Sequence, residues 1–332
     1  MKKNLFIVAS PVQLLNALEA KSKFKISNNT LVFIYNKPIN FKEKTQQEEL
    51  VHQKDWDEII YYNKAIILKK NRFLEQVKLI KSLLKFEYDY IFSGEFGTIH
   101  HIMLANLRSN YMYLIDDGNA TIFTYNKLKD SKYFSQIKLS RKIRLYRYIL
   151  VGLNYKIKQN INFFTTFNIQ PLKHIGVVQH SFEHLKSNKL QNIKLSNDIY
   201  LLGQNLAEVN FMNKNIYLQY LQKIKNNYLG NIIYVPHRSE LVDEDYDFLK
   251  DTSFTIVKSK GPIEVTFLSD GIYPKTIISF ISSSLFNLDK IFMNSEIHAI
   301  KIKDNDLLSN KEMIQDCYNF FENTGVQIIH LD

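Results

Sequence analysis

The chain has 332 residues, 45% of them hydrophobic, and its 43 Lys and Arg against 33 Asp and Glu give a formal net charge of +10. This composition is typical of folded globular proteins and excludes disordered and collagen-like chains. At this length one hydrophobic core stops growing, so we expect two domains of about 150 residues each. The single cysteine, Cys317, excludes disulfide scaffolds and cysteine-based zinc sites.

The first half of the chain alternates short apolar runs with amphipathic segments. The runs predict strands at residues 5–9, 31–35, 59–62, 88–92 and 111–115. The spacing of apolar residues predicts helices over 12–20 and 73–84. Strands that alternate with helices indicate a parallel sheet covered on both faces, and sites in such sheets lie at the carboxyl ends of the strands.

The lengths of the apolar runs and the spacing of the glycines exclude several classes of protein. The first apolar run ends at Ser10-Pro11, so we expect a strand there instead of a signal peptide, and hence a cytoplasmic protein. No apolar run approaches the roughly 18 residues that span a bilayer, so membrane contact is expected to be peripheral. The ten glycines include no GxGxxG and no GxxxxGK spacing, which argues against a dinucleotide fingerprint and a P-loop.

The second half repeats the alternation of strands and helices. Strands are predicted at residues 198–202, 231–235, 254–257, 276–281, 290–293 and 299–302, with helices over 216–226 and 311–321. The whole pattern predicts an α/β protein with two Rossmann-like domains facing a cleft. We expect an N-terminal domain at 1–155, a basic linker at 156–195 and a C-terminal domain at 196–332.

A basic segment lies between the two halves. Residues 131–182 contain no acidic residue and nine lysines and arginines: Lys132, Lys138, Arg141, Lys142, Arg144, Arg147, Lys156, Lys158 and Lys173. Apolar residues interleave with these cations between 139 and 150, which predicts a basic amphipathic helix. The helix has either a solvated face or a face that contacts an anionic surface. Nucleic acid is not expected, because no helix-turn-helix, zinc-finger or RNP pattern occurs.

Polar residues that could carry chemistry follow the predicted strands. Asp116 and Asp117 directly follow the predicted strand at 111–115, and Gly118 provides a sharp turn. Adjacent side chains on an extended backbone point to opposite sides, so one carboxylate is expected to face a site while the other supports the turn. The alternative is a turn in which both carboxylates are structural.

The second half contains three further candidates for chemistry or for ligand binding. Pro236 stops the pairing of the strand at 231–235 and delivers His237, whose ordinary pKa near 6.5 suits proton transfer at neutral pH. The serines Ser282, Ser283 and Ser284 precede a helical segment, where they form either a phosphate cradle or an ordinary N-cap. Glu264 is placed to accept hydrogen bonds from ribose hydroxyls.

In their order along nearly the whole chain, these motifs resemble the bacterial sialyltransferases of glycosyltransferase family 52, which have GT-B architecture. The resemblance rests on residues 10–13, 116–118, 200–204, 235–237, 261–264 and 282–284. It implies an inverting transfer of sialic acid from CMP-N-acetylneuraminic acid to a galactose-terminated glycan, in lipooligosaccharide or capsule synthesis. It implies no metal and no cofactor beyond this donor substrate.

The resemblance also implies roles for individual residues. His237 protonates or hydrogen-bonds the departing CMP phosphate, Ser282 and Ser283, with Ser284, hold that phosphate, and Glu264 holds the ribose. The donor side further includes Gly203, Gln204, Pro236 and Arg238, and the acceptor side includes Ser10, Gln13 and Glu95. Relatives commonly have proline where this chain has Arg238, and some have an Asp where this chain has residues 204–208. The general base is therefore Asp117, Asp116 or Glu208, and Asp117 is preferred.

Several alternatives remain beside this interpretation. Acidic triplets at 243–245 and 304–306 resemble Mg²⁺ sites but are interpreted as solvated surface, and His100-His101 as a structural pair. A GT-B glycosyltransferase with another nucleotide-sugar donor is the nearest rival, and a non-catalytic polyanion-binding protein is the second. An anionic membrane, at which the protein is peripheral, and a second copy of the chain are retained as partners.

Overall fold

The computed structural model describes residues 2–35, 51, 53–63, 72–129, 139–189, 193–237, 239–242, 246–247, 254–259 and 261–331, with the backbone alone at 139–141 and 188–189. The chain divides into two compact units, Met1–Leu185 and Lys186–Asp332. Each unit is built on one sheet. Across these described ranges, no helix combines the length and apolarity needed to cross a membrane.

The first unit contains a sheet with the strand order β3-β2-β1-β4-β5-β6-β7, in which every pairing is parallel. Its strands are β1 (Lys3–Val8), β2 (Asn29–Tyr35), β3 (Glu58–Asn63), β4 (Tyr88–Ser93), β5 (Ser109–Ile115), β6 (Asn162–Thr165) and β7 (Val177–Gln179). The helices are α1 (Pro11–Lys23), α2 (Arg72–Leu83), α3 (Thr98–Asn106), α4 (Ala120–Leu128) and α5 (Leu139–Ile149), followed by α6 (Glu183–Lys189) at the boundary between the units. Helices lie between β1 and β2, β3 and β4, β4 and β5, and β5 and β6, and form the crossovers that parallel pairing uses.

The core of this sheet explains the continuous apolar runs of the sequence. Strand β2 is buried along its whole length, and β1 along all but its first residue. Central parallel strands are covered on both faces, so they lack the alternation of a half-exposed strand. Phe6 of β1 stacks on Phe92 of β4 with ring centroids 4.6 Å apart and meets Trp56 edge-on at 5.0 Å.

The second unit has a parallel sheet with the order β10-β9-β8-β11-β12-β13. Its strands are β8 (Lys194–Leu202), β9 (Ile232–Val235), β10 (Phe254–Ile256), β11 (Ile272–Ser279), β12 (Glu296–Ile300) and β13 (Gln327–Ile329). The helices are α7 (Lys214–Asn227), α8 (Ile263–Ser269), α9 (Ser283–Ile291) and α10 (Lys311–Phe321). Counted from its own first strand, each sheet follows the Rossmann order 3-2-1-4-5-6, and β7 extends the first.

The expectation of an α/β protein with two Rossmann-like domains is confirmed. The strand order reverses between β1 and β4 in the first unit and between β8 and β11 in the second. Ligands of such sheets bind at this switch point, outside the carboxyl ends of the strands. The predicted helices over 12–20, 73–84, 216–226 and 311–321 are also confirmed, the last with its predicted bounds.

The strand predicted at 290–293 is wrong, because these residues end α9 and form the turn after it. Leu285, Leu288 and Phe292 are buried at intervals of three and four residues, which is the spacing of a helix face packed on a core. The apolar run there continues the buried stripe of the helix.

The segment at 156–195, which the sequence predicts to be a linker, contributes β6 and β7 to the first sheet. Strand β6 pairs in parallel with β5, placing Phe163 beside Leu114. Phe163, Phe164 and Phe167 are fully buried and complete the core of the first unit. The structure therefore extends the first unit to Leu185.

Candidate functional site

A pocket of about 210 Å³ opens at the carboxyl ends of β4 and β5 in the first unit. It is lined by Gly94, Glu95, Phe96, Gly97, Leu114, Ile115, Asp117, Ala120, Thr121, Thr124 and Phe163. The loop that follows β4 supplies one wall, and the turn from β5 into α4 supplies the opposite wall. Two carboxylates therefore reach one pocket beside the switch point of this sheet.

The adjacent aspartates after β5 have different surroundings. Asp117 lines the pocket, whereas Asp116 is buried and accepts hydrogen bonds from Thr165 Oγ1 (2.5 Å), Thr166 N (2.7 Å) and Thr166 Oγ1 (2.9 Å). Burial raises the pKa of Asp116 to about 6, although these hydrogen bonds lower it. Gly118, with φ +58°, makes the turn. Asp116 thus fastens the end of β5 to the end of β6.

Gln13 orients the Asp117 carboxylate. Its buried side chain donates from Nε2 to Asp117 Oδ1 at 2.7 Å and accepts at Oε1 from Ala9 N at 2.6 Å. Ser10 is the N-cap of α1, and its Oγ accepts from Gln13 N at 3.3 Å. A Cβ on Gly94 would overlap the Gln13 amide, so only glycine allows the loop after β4 to pass this close.

Glu95, the second carboxylate of the pocket, lies against a buried histidine. Glu95 Oε2 is 3.6 Å from His100 Nε2, and His100 Nδ1 is 2.9 Å from Ser93 Oγ. His101 is also fully buried and donates from Nε2 to the Tyr155 carbonyl at 2.6 Å. His101 is thus tied to the backbone, while His100 supports the side chain of Glu95.

In the second unit, His237 lies directly after Pro236 at the carboxyl end of β9. The backbone N–H of Ser239 donates to His237 Nδ1 at 3.2 Å, so the neutral imidazole carries its proton on Nε2. The backbone N–H of His237 donates to Glu240 Oε2 at 2.9 Å, and Glu240 N donates back to the His237 carbonyl at 2.9 Å. These bonds close a tight turn that fixes the ring as a donor.

Glu240 is the buried centre of this turn. Besides His237 N, its carboxylate accepts from the hydroxyls of Tyr234 and of Tyr246, the latter at 2.9 Å. Burial raises the pKa of Glu240 to about 7, although these hydrogen bonds lower it. A Cβ on Gly203, at the end of β8, would overlap both Glu240 Oε2 and the Tyr234 hydroxyl. The ends of β8 and β9 therefore pack directly on this carboxylate.

The serines stand where β11 leads into α9. Ser282 is the N-cap of the helix, and its Oγ accepts from Ser284 N at 3.3 Å. Gln204, after β8, accepts at Oε1 from Ile281 N at 2.7 Å, while its own N–H donates to the Tyr217 hydroxyl at 2.9 Å. Gln204 therefore joins β8 to the start of α9 across the switch point, where the helix N-terminus favours an anion.

Two carboxylates of the second unit that the sequence singles out, Glu264 and Glu208, differ in burial. Glu264, in the first turn of α8, is buried and accepts at Oε1 from Asn287 Nδ2 of α9 at 2.9 Å, and burial raises its pKa. Glu208 is exposed and accepts from Leu241 N at 2.7 Å. Arg238 lies outside the described residues.

One group of side chains in the described residues has the composition of a metal site. Ligand atoms of Glu19, His180 and Glu183 lie within 4.8 Å of one another. Glu19 already accepts from the backbone N–H groups of residues 184 and 185 at the start of α6, at 3.0 and 2.7 Å. Glu183 Oε1 is 3.7 Å from Lys23 Nζ, so a cation is already present. We interpret the group as a cap of α6.

Of the two acidic triplets, the structure describes the second. Residues 243–245 are outside the described part of the chain. Residues Asp304–Asp306 form a 3-10 turn in which Asp306 accepts from the Tyr220 hydroxyl at 2.7 Å. That hydrogen bond uses one of the carboxylate oxygens that a cation would need.

The structure thus brings the sequence-derived residues together in two groups, one in each unit. Ser10, Gln13, Glu95 and Asp117 form the group of the first sheet. Gly203, Gln204, Pro236, His237, Ser282, Ser283 and Ser284 lie at the carboxyl ends of β8, β9 and β11. Asp116 and Glu264 are enclosed behind these groups.

Sequence reasoning missed the residues that support the two groups. The most important are Glu240, with Tyr234 and Tyr246, and the pairing of His100 with Glu95. The only sequence signal for Glu240 is its position three residues after His237, a spacing that closes a turn.

Comparison with known proteins gives similarity in chain arrangement alone. No protein-family model and no curated protein matches the chain. The solved spinosyn rhamnosyltransferase SpnG complexed with thymidine diphosphate aligns with a TM-score of 0.46 at 9% identity, over 98% of this chain and 93% of that chain. E. coli heptosyltransferase WaaC with ADP aligns with a TM-score of 0.44 at 9% identity, over 96% and 98%. A glycosyl transferase family 9 structure from Veillonella parvula aligns with a TM-score of 0.42 at 9% identity, over 99% and 86%. Likenesses this distant carry no argument about the reaction.

Proposed function

We propose that this chain is a glycosyltransferase that moves sialic acid from CMP-N-acetylneuraminic acid to a galactose-terminated glycan, with inversion at the anomeric carbon. The observation that carries the proposal is the orientation of His237, whose Nδ1 accepts a backbone hydrogen bond and whose Nε2 therefore bears the proton. A fixed N–H donor at a strand end, in the same sheet as a serine-capped helix N-terminus, suits a departing phosphate.

The donor side of the proposal is the second unit. The phosphate of CMP gains negative charge as its bond to the anomeric carbon breaks. The N-terminus of α9 and the hydroxyls of Ser283 and Ser284 supply dipoles for that charge, and His237 Nε2 supplies a hydrogen bond or a proton. Because these groups carry the phosphate charge, the proposed reaction needs no divalent metal. The assignment of cytidine and sialic acid comes from the order of the sequence motifs.

The acceptor side of the proposal is the pocket of the first unit. Asp117 takes the proton of the attacking hydroxyl, whose oxygen forms the new bond to the anomeric carbon. Gln13 holds this carboxylate, and Glu95 supplies a second acceptor for sugar hydroxyls. The enclosure of Asp116 favours Asp117 over its neighbour. Glu208 is the remaining alternative for the base.

The experiment is a CMP-release assay with CMP-N-acetylneuraminic acid and lactose in the presence of EDTA, with the product identified by mass spectrometry. We expect lactose to stimulate the release of CMP. His237→Ala should lower turnover by about 10²–10⁴-fold, the usual contribution of a general acid. His330→Ala, which removes an exposed imidazole from the same unit, should retain full turnover.

If CMP-sialic acid is not consumed, assays with other nucleotide-sugar donors determine how that result is interpreted. If CMP-sialic acid is inert and a UDP-, ADP- or TDP-sugar is consumed, glycosyl transfer stands and the sialic acid assignment falls. If no donor is consumed, and the protein binds polyanions with a steep salt dependence that His237→Ala leaves unchanged, polyanion binding replaces the enzymatic proposal.

A further inference from the structure

Helix α5 has a second apolar face that is directed to solvent. Leu145 and Tyr148 are fully buried, whereas Ile143 is 63% exposed, Tyr146 50% and Leu150, in the turn that continues the helix, 88%. At about 100° per residue, Ile143, Tyr146 and Leu150 share a sector of about 60° that lies opposite the two buried side chains. Ile149, which is 43% exposed, lies about 60° beyond the Tyr146 edge of this sector. The exposed residues therefore form one stripe along the helix.

The buried face and Arg147 pack α5 against α2. The Tyr148 hydroxyl donates to Gln76 Oε1 of α2, and its ring meets Phe73 edge-on with centroids 5.0 Å apart. The guanidinium of Arg147 lies 4.8 Å from the centroid of the same Phe73 ring. Within the stripe, Tyr146 contacts the ring of Tyr155 in the loop after the helix. The contacts with α2 do not explain why the stripe is apolar.

Cations lie on both sides of the stripe. By the same helical geometry, Lys142 lies about 70° from its centre on one side and Arg144 about 130° on the other. Lys156 lies in the loop after the helix and is exposed. The residue before it, Tyr155, has its ring 5.3 Å from the ring of Tyr146, so the loop brings Lys156 to the side of the stripe. The hydrogen bond with Tyr155 raises the pKa of Tyr146, while the charges of Lys142 and Lys156 lower it.

We propose that this α5 surface, defined as Lys142, Ile143, Arg144, Tyr146, Leu150 and Lys156, binds an anionic lipid bilayer. Exposed apolar side chains can insert at the boundary between acyl chains and headgroups, and neighbouring cations attract anionic headgroups. A second copy of the chain is a poor occupant, because a two-fold contact would bring the same cations together. Nucleic acid would leave the apolar stripe without a partner.

The sequence supports the same occupant, since residues 131–182 contain no carboxylate that would repel anionic headgroups. The proposal is independent of the proposed function, because binding to a bilayer requires neither a donor nor turnover. Its failure and the failure of sialyl transfer are therefore separate results.

The test is co-sedimentation with vesicles of phosphatidylglycerol and phosphatidylcholine in equal parts, and with pure phosphatidylcholine vesicles. We expect the protein to bind the anionic vesicles and to release them as salt is raised. The triple variant I143S/Y146S/L150S should bind about tenfold or more weakly, because it loses three insertable side chains. Its thermal unfolding should stay close to that of the wild type, because each of the three side chains is at least half exposed.

A matched control is the triple variant L229S/M293S/L308S, which removes exposed apolar side chains from the second unit and should keep wild-type vesicle binding. The charge variant K142Q/R144Q/K156Q should lose binding and the salt dependence with it. The proposal is overturned if the wild type does not bind anionic vesicles, or if I143S/Y146S/L150S binds them as tightly as the wild type does. A dimer in analytical ultracentrifugation that I143S/Y146S/L150S dissolves would assign the surface to a second copy and would also overturn it.

Discussion

At the scale of single residues, environment gives adjacent side chains different chemistry. Asp116 is enclosed by donors from the end of β6, and Asp117 reaches the pocket with one oxygen held by Gln13. A general base must reach the substrate, whereas a buried carboxylate with several donors ties strands together. The two residues should therefore respond differently to the same substitution.

We predict that Asp117→Asn lowers the turnover of CMP-sialic acid by about 10²–10⁴-fold with little change in stability, because it removes the base and keeps the side-chain volume. Asp116→Asn should lower the free energy of unfolding by about 1–3 kcal/mol, because buried donors lose an acceptor. Urea unfolding and the CMP-release assay measure the two effects, with the exposed Asp316→Asn as control. Full turnover in Asp117→Asn would shift the role of base to Glu208.

Glu240 makes the stability of the second unit depend on pH. Burial raises its pKa from 4.5 to about 7, so the folded protein binds the proton more tightly than the unfolded chain. The stabilisation from this proton is complete below pH 4.5 and is lost as the pH rises towards 7. The pKa difference corresponds to a loss on the order of 3 kcal/mol.

We predict that Glu240→Gln removes this dependence, because an amide cannot ionise. Urea unfolding of both proteins across the range from pH 4.5 to above 7 measures it. Relative to the variant, the wild type should lose stability as the pH rises. Parallel stability curves would show that the carboxylate does not change its protonation in this range.

At the scale of secondary-structure elements, the start of α9 separates structural from binding roles. Ser282 caps the helix with its own hydroxyl, while Ser283 occupies the first helical position. Loss of an N-cap hydroxyl costs about 1 kcal/mol, and surface changes elsewhere usually stay within about 0.5 kcal/mol. We therefore expect a substitution at Ser282 to change stability and a substitution at Ser283 to change the affinity for CMP.

We predict that Ser282→Ala lowers the free energy of unfolding by about 1 kcal/mol, whereas Ser283→Ala leaves it nearly unchanged. Ser283→Ala should nevertheless weaken CMP binding by about tenfold, the effect of losing one hydrogen bond to a charged phosphate. Urea unfolding and isothermal titration calorimetry with CMP measure the two quantities. Unchanged CMP affinity in Ser283→Ala would place the phosphate elsewhere.

The predictability of the elements followed their length and burial. Strands β1, β2, β4 and β5 were predicted because each contains a buried run of apolar residues. Strand β3 was predicted from the apolar run at 59–62, although only Tyr62 of the strand is buried. Strands β6, β7 and β13 were missed, because they have only three or four residues and show no periodic signal that distinguishes them from loops. Strands β9 and β10 are equally short but were predicted, because the apolar runs at 231–235 and 254–257 contain them. The run at 290–293 was misassigned because a short apolar segment fits a strand as well as the end of a buried helix.

Sequence reasoning found the positions of the site better than the contacts within it. Parallel topology places Asp117, His237 and Ser282 at strand ends whatever their partners are. The contacts of Glu240 with Tyr246, and of Glu264 with Asn287, join residues from different elements. Such contacts depend on how the helices pack on the sheet, which one chain's apolar pattern does not encode.

At the scale of the whole molecule, the first unit requires sequence well beyond residue 155. Without β6 and β7, the edge of β5 would be open and Asp116 would lose its donors Thr165 and Thr166. We predict that a fragment of residues 1–189 unfolds cooperatively in urea, whereas a fragment of residues 1–155 does not. Near-ultraviolet circular dichroism measures the transitions, and equal cooperativity of the two fragments would contradict the boundary at Leu185.

The short outer strands of both sheets have a consequence for behaviour at high protein concentration. In the described residues the outermost strands are β3, β7, β10 and β13, and the last three are only three residues long. An outer strand exposes unpaired backbone groups that invite pairing with another chain, and a short one provides little template. Because each molecule also carries a net charge of +10, like-charge repulsion opposes close approach. Edge-to-edge aggregation should therefore be slow, and salt, which screens the charge, should accelerate it.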